Sequence, residues 1–133
     1  MSFYLVGCSK NIESLPLNEQ AIYLPARFSI DSSKDLQRMP LEILNFISIS
    51  PSMKIVDILG GGGYYSKLFN HIVGKEGNVH LQNNSLFLGF NNNELSLRLK
   101  NNRLANVNRL DSEYTDLKLP SDIDIMFFLL EFS

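Results

Sequence analysis

The sequence predicts an α/β fold in which helices flank a mostly parallel sheet. From about residue 40 onwards, short apolar runs that are typical of strands alternate with segments of helical periodicity. This alternation is typical of parallel strands joined by helical crossovers. Hydrophobic residues make up 44% of the 133 residues, which is enough for the core of one domain.

The overall charge argues against a nucleic-acid partner. The formal net charge is −2, and Lys100, Arg103 and Arg109 are scattered along the chain. Binding to nucleic acid requires clustered positive charge. His71 and His80 are isolated and show no metal-ligand spacing, so no metal is expected.

The first residues leave two interpretations of location open. Residues 5–8 (Leu-Val-Gly-Cys) match a bacterial lipobox, in which a lipid would attach to Cys8. An export signal requires a basic region and a longer apolar core before this motif, and only residues 1–4 precede it. We therefore expect a cytoplasmic protein, with an exported lipoprotein as the alternative. No apolar run reaches the roughly 20 residues of a membrane span.

The chain is predicted to consist of an N-terminal arm, residues 1–28, and one domain, residues 29–133. Residues 1–27 show no clear period and contain Pro16 and Pro25, which favours an extended or partly ordered arm. A helix is expected from Pro40, because Leu41, Leu44 and Ile47 recur at helical spacing.

The remaining elements follow the apolar pattern. Residues 53–59 and 78–82 are predicted as strands, and residues 64–73 as the helix between them, ended by Gly74. A third helix is expected at about residues 93–103, after a loop of three asparagines at 91–93. Strands are expected at residues 105–110, ending at Asp111, and at residues 123–130. Residues 123–130 form the most apolar run of the chain, which predicts a fully buried strand. This arrangement is Rossmann-like.

Four consecutive glycines, Gly60, Gly61, Gly62 and Gly63, stand where the first strand turns into a helix. Ligands of open α/β sheets bind at the carboxyl ends of the strands, and a helix N-terminus attracts a carboxylate. A phosphate-binding P-loop needs glycine at position 65, and a dinucleotide fingerprint needs it at 65 or 66. Tyr65 and Ser66 occupy these positions, so both motifs fail. An acidic residue, Asp57, followed by a glycine-rich turn remains.

Residues 27–124 resemble a group of predicted bacterial class I S-adenosylmethionine-dependent methyltransferases. The resemblance rests on six segments in the same order and spacing: residues 38–44, 53–57, 61–66, 73–79, 82–84 and 106–111. The Gly-Gly-Gly-Tyr-Tyr sequence at residues 61–65 is the most specific of them. The resemblance implies S-adenosylmethionine as the cofactor.

The resemblance also implies a set of cofactor-binding residues: Asp57, Gly60, Gly61, Gly62, Gly63, Tyr64, Gln82, Asn83 and Asp111. Asp57 would organise the turn and the ligand amino group. Gly61 and Gly63 would give the tight turn and let the helix pack closely against the cofactor. Gln82 or Asn83 would face the ribose hydroxyls, and Asp111 the adenine amino group.

Structural explanations of the same residues stay open. The glycines also suit a tight connection without a ligand, Tyr64 and Tyr65 also suit packing at the helix start, and Asp111 also suits a loop cap. Two departures from the family pattern weaken binding. Leu59 stands where the family has glycine, and Gln82 or Asn83 stands where it has a carboxylate.

The resemblance further implies that the sheet is incomplete, with about four of the family's seven strands, so that catalytic residues stay unknown. An apolar fourth strand at the edge of such a sheet favours self-association into a homo-oligomer. The expected function is therefore a methyltransferase-like domain that binds S-adenosylmethionine and transfers its methyl group to an unknown acceptor. The alternatives are an inactive remnant that acts as an oligomeric interaction module, and a dinucleotide-dependent oxidoreductase.

Overall fold

A computed structural model describes residues 11–130, and the Leu-Val-Gly-Cys motif at residues 5–8 lies outside this part. The helices are α1 (Leu17–Tyr23), α2 (Ser29–Ser32), α3 (Asp35–Arg38), α4 (Pro40–Ile47), α5 (Tyr64–Val73) and α6 (Ser85–Leu99), with short 3₁₀ turns at Ile12–Ser14 and Lys100–Asn102. The strands are β1 (Lys54–Ile58), β2 (Asn78–Asn83), β3 (Val107–Asp111) and β4 (Ile125–Phe128).

The four strands form one parallel sheet in the order β3-β2-β1-β4, which confirms the predicted α/β Rossmann-like class. β1 lies between β2 and β4, and its last four residues are buried. Isoleucine and valine favour such a strand because both of its faces are covered. The carboxyl end of β1 therefore lies inside the molecule, close to the ends of both neighbouring strands.

One face of the sheet carries the helices. α5 connects β1 to β2 and α6 connects β2 to β3, in the same direction across the sheet, so right-handed crossovers place both helices on one face. Leu68 and Phe69 of α5 and Leu95 of α6 belong to one buried cluster. Aromatic contacts extend this cluster to β4, where the Phe127 ring packs edge-on against Phe69, with 5.0 Å between ring centroids.

The other face has a thinner cover. Val56, Ile58 and Leu59 pack there against the partly buried side chains of Phe87, Leu117, Leu119 and Ile123, most of which come from the segment between β3 and β4. No helix forms in that segment, residues 112–124. Met126 and Phe128 of β4 share this face and are 59% and 58% exposed. The expectation of a fully buried fourth strand is therefore wrong for these two side chains.

Residues 17–23, predicted as part of an extended arm, form helix α1. Ala21 of this helix is buried, and α1 packs against α4 and α5. Gln20 also bonds His71 of α5, with 3.0 Å between its Oε1 and the His71 Nε2. A seven-residue helix is too short to show a periodic pattern, and its stability comes from tertiary packing.

The third helix begins earlier than predicted. α6 starts at Ser85 because the Asn84 side chain caps it, accepting a hydrogen bond from the Phe87 N–H at 2.9 Å. The asparagines at 91–93, predicted as a loop, lie inside this helix. The helix ends at Leu99, and Asn101 and Asn102 take the left-handed conformation that ends it.

Candidate functional site

The turn after β1 uses the left-handed backbone conformation at three positions. Leu59 has φ = 52°, Gly61 has φ = 61° and Gly63 has φ = 95°. The Gly60 N–H donates to the Gln82 carbonyl at 3.0 Å, and the Gly63 N–H donates to the Gly60 carbonyl at 3.1 Å. Glycine suits positions 61 and 63 because it adopts these angles without the steric cost that a side chain adds. The predicted tight turn into α5 is therefore present.

Leu59 is the departure from the family pattern. A left-handed backbone costs a non-glycine residue about 1–2 kcal/mol. Its side chain is buried in the cluster with Val56 and Ile58, and this burial offsets the cost by roughly 1.5–3 kcal/mol. Leu59 also lines the cavity described next, so its side chain takes space that glycine would leave open.

Beside the turn lies a cavity of about 640 Å³, the glycine-turn cavity. Its lining comes from the turn, α5, α6, β4 and residues 29–38, and consists of Lys34, Arg38, Asp57, Leu59, Gly60, Gly61, Gly62, Tyr64, Tyr65, Phe87, Phe90, Asn91, Glu94, Phe127, Leu129 and Leu130. The volume falls within the roughly 300–1,000 Å³ of small-molecule sites. The cavity lies at the carboxyl ends of β1 and β4, where open α/β sheets bind ligands.

Side chains of the protein fill part of the space that the glycines leave. A Cβ at Gly60 would lie 2.7 Å from the Asp57 carboxylate, and a Cβ at Gly63 would lie 2.8 Å from Arg98 Cδ. A Cβ at Gly62 would collide with the Glu94 carboxylate. The absence of side chains here lets Asp57, Glu94 and Arg98 pack against the turn, and a ligand would contact the turn only from the cavity side.

Asp57 lies at the back of the cavity with a perturbed carboxyl group. Ser66 Oγ donates a hydrogen bond to Asp57 Oδ2 at 2.7 Å. Burial raises the pKa of Asp57 to about 7, although the hydrogen bonds from the Ser66 hydroxyl and N–H act to lower it. Near neutral pH, the Asp57 carboxyl group is therefore protonated in part of the molecules and ionised in the rest.

Gln82 and Asn83 hold the glycine turn in place. Gln82 Oε1 accepts from the Leu59 N–H at 3.0 Å, and its Nε2 donates to the Ser112 carbonyl at 2.8 Å. Asn83 binds the Gly61 backbone twice, accepting at 2.9 Å and donating at 3.0 Å. Neither residue lines the glycine-turn cavity, and their contact with ribose stays a prediction.

Asp111 is separated from the turn. It lies at the end of β3, the outer strand beside β2, and pairs with Arg109 at 2.8 Å between its Oδ1 and Nε. It lines a second cavity of about 410 Å³, together with Asn83 and Asp116 among others. The structure thus brings Asp57, Gly60, Gly61, Gly62 and Tyr64 to one cavity but places Asp111 at another.

Tyr64 connects the start of α5 to residues 29–38. Its hydroxyl donates to Asp35 Oδ1 at 2.6 Å, and Asp35 is also paired with the buried Arg27 at 2.7 Å. The Arg38 guanidinium lies 4.6 Å from the centre of the Tyr64 ring. Burial and the Asp35 carboxylate raise the pKa of Tyr64, so the phenol stays neutral.

The sequence reasoning missed a buried ionic network at the turn. Arg98 and Asp31 are 2% and 1% exposed and form two hydrogen bonds at 2.6 and 3.0 Å. The Arg98 Nε–H also donates to the Gly62 carbonyl, and Arg98 pairs with Glu94 at 3.1 Å. Only the four-residue spacing of Glu94 and Arg98 signals part of this network in the sequence.

With this geometry established, the fold can be compared with solved structures. A crystal structure of an S-adenosylmethionine-dependent methyltransferase from Aquifex aeolicus matches with a TM-score of 0.61 and 23% identity, over 75% of this chain. Over the matched part, the chain shares the α/β fold of that protein. It spans about half of that structure, 53% of its length. At this identity the match concerns the fold alone.

Other comparisons give no match. No known family model matches the chain, and neither does any curated protein sequence. Within residues 11–130, no helix is both long enough and apolar enough to cross a bilayer. Over the same residues, no three His, Cys, Asp or Glu side chains are grouped so as to hold a metal ion.

Proposed function

We propose that the glycine-turn cavity binds S-adenosylmethionine. The observation that carries the proposal is the position of a cavity of suitable volume at the carboxyl end of β1, against the glycine turn of a methyltransferase-type fold. The lining contains side chains of both charge signs: Lys34 and Arg38 are positive, and Glu94 is negative. A cofactor with a carboxylate, an ammonium group and a sulfonium centre matches such a lining.

The residues proposed to contact the cofactor are those that line the cavity. Gly60, Gly61 and Gly62 would border it, Asp57 would support the turn behind it, and Tyr64 would form the wall at the start of α5. Gln82 and Asn83 would act by holding the turn. Asp111 would require a ligand that extends towards the ends of β2 and β3.

When bound, S-adenosylmethionine supplies a methyl group on a sulfonium centre. We propose that this chain passes the group to an acceptor, a step that depends mainly on holding the acceptor nucleophile in line with the methyl group. The aromatic and aliphatic lining from Phe87, Phe90 and Leu129 would exclude water from the reacting centre. The requirement for this cofactor favours a cytoplasmic protein.

Isothermal calorimetry with S-adenosylmethionine, S-adenosylhomocysteine and NAD tests the proposal. We expect one saturable site for the two adenosyl ligands with a dissociation constant below ~1 mM, and no heat from NAD. Gly61→Val is expected to abolish this binding. Valine at φ = 61° is strained, and its Cβ would lie 3.3 Å from Asn91 Oδ1 at the cavity wall.

Gly74→Val is the matched control. Gly74 also has a positive φ, 70°, but nothing lies within 4 Å of its Cβ position, at the far end of α5. Its ψ of −166° places it in a region almost confined to glycine, so valine carries a backbone cost there at least as large as at position 61. The Gly74→Val variant is nevertheless expected to bind with wild-type affinity. Absence of ligand heat at millimolar concentration in the wild-type chain would contradict the proposal, and so would equal loss of binding in both variants.

A second candidate function is an oligomeric interaction module. The observation that favours it is β4, which within residues 11–130 pairs with β1 on one side only and exposes Met126 and Phe128. We expect light scattering at high concentration to show a species larger than a monomer, and Phe128→Lys to shift it towards the monomer. A monomer at every concentration would count against self-association.

A further inference from the structure

We propose that Glu94 holds the positive sulfonium centre of the cofactor over the glycine turn. This inference rests on the proposed function, because it concerns the same cavity and the same ligand. It assigns the charge recognition to a helix side chain of α6 that the sequence pattern did not single out. The experiment below separates its failure from the failure of cofactor binding.

The position of Glu94 is the first argument. Its carboxylate packs directly against Gly62, whose missing Cβ makes room for it. The side chain is 40% exposed and lines the glycine-turn cavity. Among the described residues only Asp57 adds another carboxyl group to this lining, and Asp57 is buried behind the turn. Glu94 is therefore the carboxylate that a ligand in the cavity meets.

The second argument is that Glu94 is held in place. Arg98 pairs with it at 3.1 Å, and Arg98 is itself fixed by Asp31 and by the Gly62 carbonyl. A carboxylate positioned before the ligand arrives loses little conformational entropy on binding. The anchoring thus presents the Glu94 oxygens at a fixed place on the turn.

The third argument is the charge balance of the cluster. Arg98 carries one positive charge, which Asp31 already balances through two hydrogen bonds. Glu94 adds a second negative charge, so Asp31, Glu94 and Arg98 together carry a formal charge of −1. Lys67 of α5 interacts with Arg98 and Asp31 but does not line the cavity, so Glu94 is the charge of this group that borders it.

Lys34 and Arg38 line the same cavity with the opposite sign and suit the carboxylate of the ligand. The ligand has two positive centres, and the family resemblance gives the amino group to Asp57 and the turn. The sulfonium is the centre left to pair with Glu94.

Glu94→Gln tests this inference through the ratio of two affinities. S-adenosylhomocysteine shares every group of the cofactor except the methyl group and its positive charge. We expect calorimetry to show that the variant binds S-adenosylmethionine about three- to fivefold more weakly, the size expected for a partly exposed ion pair. Its affinity for S-adenosylhomocysteine is expected to stay within about twofold of the wild type.

Two further variants keep the result interpretable. Glu76→Gln makes the same charge change at an exposed position before β2, at the opposite end of the sheet, and is expected to alter neither affinity. Glu94→Asp keeps the charge and is expected to retain more of the preference for S-adenosylmethionine than Glu94→Gln does. Thermal unfolding of each variant reports whether the fold is kept.

The other outcomes overturn the inference. An equal loss for both ligands would mean that Glu94 binds a group they share, and tighter binding of both would mean that Glu94 blocks the cavity. Retention of the wild-type ratio in Glu94→Gln would exclude any charge recognition by this residue. A wild-type chain that binds neither ligand would instead refute the proposed function, and this inference would fall with it.

Discussion

Replacing Arg98 with methionine is expected to lower the free energy of unfolding by about 3–5 kcal/mol. Methionine fills a similar volume, but it leaves the Asp31 carboxylate, which is 1% exposed, without its partner. It also removes the donor to the Gly62 carbonyl, so the turn loses a contact as well. Urea unfolding followed by circular dichroism measures the change.

The exposed pair of Arg109 and Asp111 supplies the control. Its side chains are 33% and 45% exposed, so Arg109→Met is expected to cost less than about 1 kcal/mol. Adding Asp31→Leu to Arg98→Met should recover part of the loss, because it removes the unpaired buried charge. An Arg98→Met variant as stable as Arg109→Met would show that the buried network does not hold residues 29–38 against the turn.

Asp57→Asn is expected to change the pH dependence of stability. The folded state holds the Asp57 proton more tightly than the unfolded state, because burial raises the pKa from 3.8 to about 7. The wild-type chain therefore loses stability as the pH rises through this window, and the loss is complete above it. The neutral amide avoids this penalty, which makes the variant more stable by about 4 kcal/mol at pH 8.

The measurement is the difference between the two free energies of unfolding from pH 3 to pH 8. It should be small near pH 3, where the carboxyl group is mostly protonated in both states, and should reach its full size above pH 7. Asp116→Asn removes a charge from an exposed position and controls for the change in net charge. A constant difference across this range would show that Asp57 titrates normally in the folded chain.

The strand-turn-helix unit at the centre of the fold was predictable from the sequence. Lys54–Ile58 is a short run rich in β-branched residues, and Asn78–Asn83 alternates Val79 and Leu81 with polar residues. Tyr64–Val73 repeats its apolar residues at helical spacing before Gly74. These signals are local, and the buried positions of a parallel sheet enforce them. The left-handed angles at Gly61 and Gly63 likewise explain glycine at these two positions.

Elements stabilised by tertiary packing escaped prediction. The three asparagines at 91–93 are poor helix formers, yet they lie inside α6, because Leu95 and Leu99 dock this helix on the core. α1 is too short to reveal a period. The exposure of Met126 and Phe128 depends on how the segment between β3 and β4 covers the sheet face that they share with Val56 and Ile58. The local pattern of apolar residues does not predict this packing.

The candidate site was predicted in part. Register places Gln82 opposite Ile58, so its amide reaches the turn, as expected for a residue at the end of β2. Its partners, the Leu59 N–H and the Ser112 carbonyl, could not be read from spacing. Asp31 and Arg98 lie 67 positions apart, and no short-range sequence pattern indicates that they form an ion pair. Asp111 lies away from the glycine-turn cavity because it ends β3, the outer strand of the sheet. The cavity lies at the carboxyl ends of β1 and β4, on the other side of β2.

The most direct test of the central claim is a nitrogen-15 NMR titration with S-adenosylmethionine. The account predicts that the amides of Gly60, Gly61 and Gly62 shift with added ligand, together with Phe90 and Leu129 on the opposite walls of the glycine-turn cavity. Gly74 and Gly77, at the other end of the sheet, should stay unchanged. Shifts confined to residues 111–116 around the second cavity, or no shifts at millimolar ligand, would contradict it.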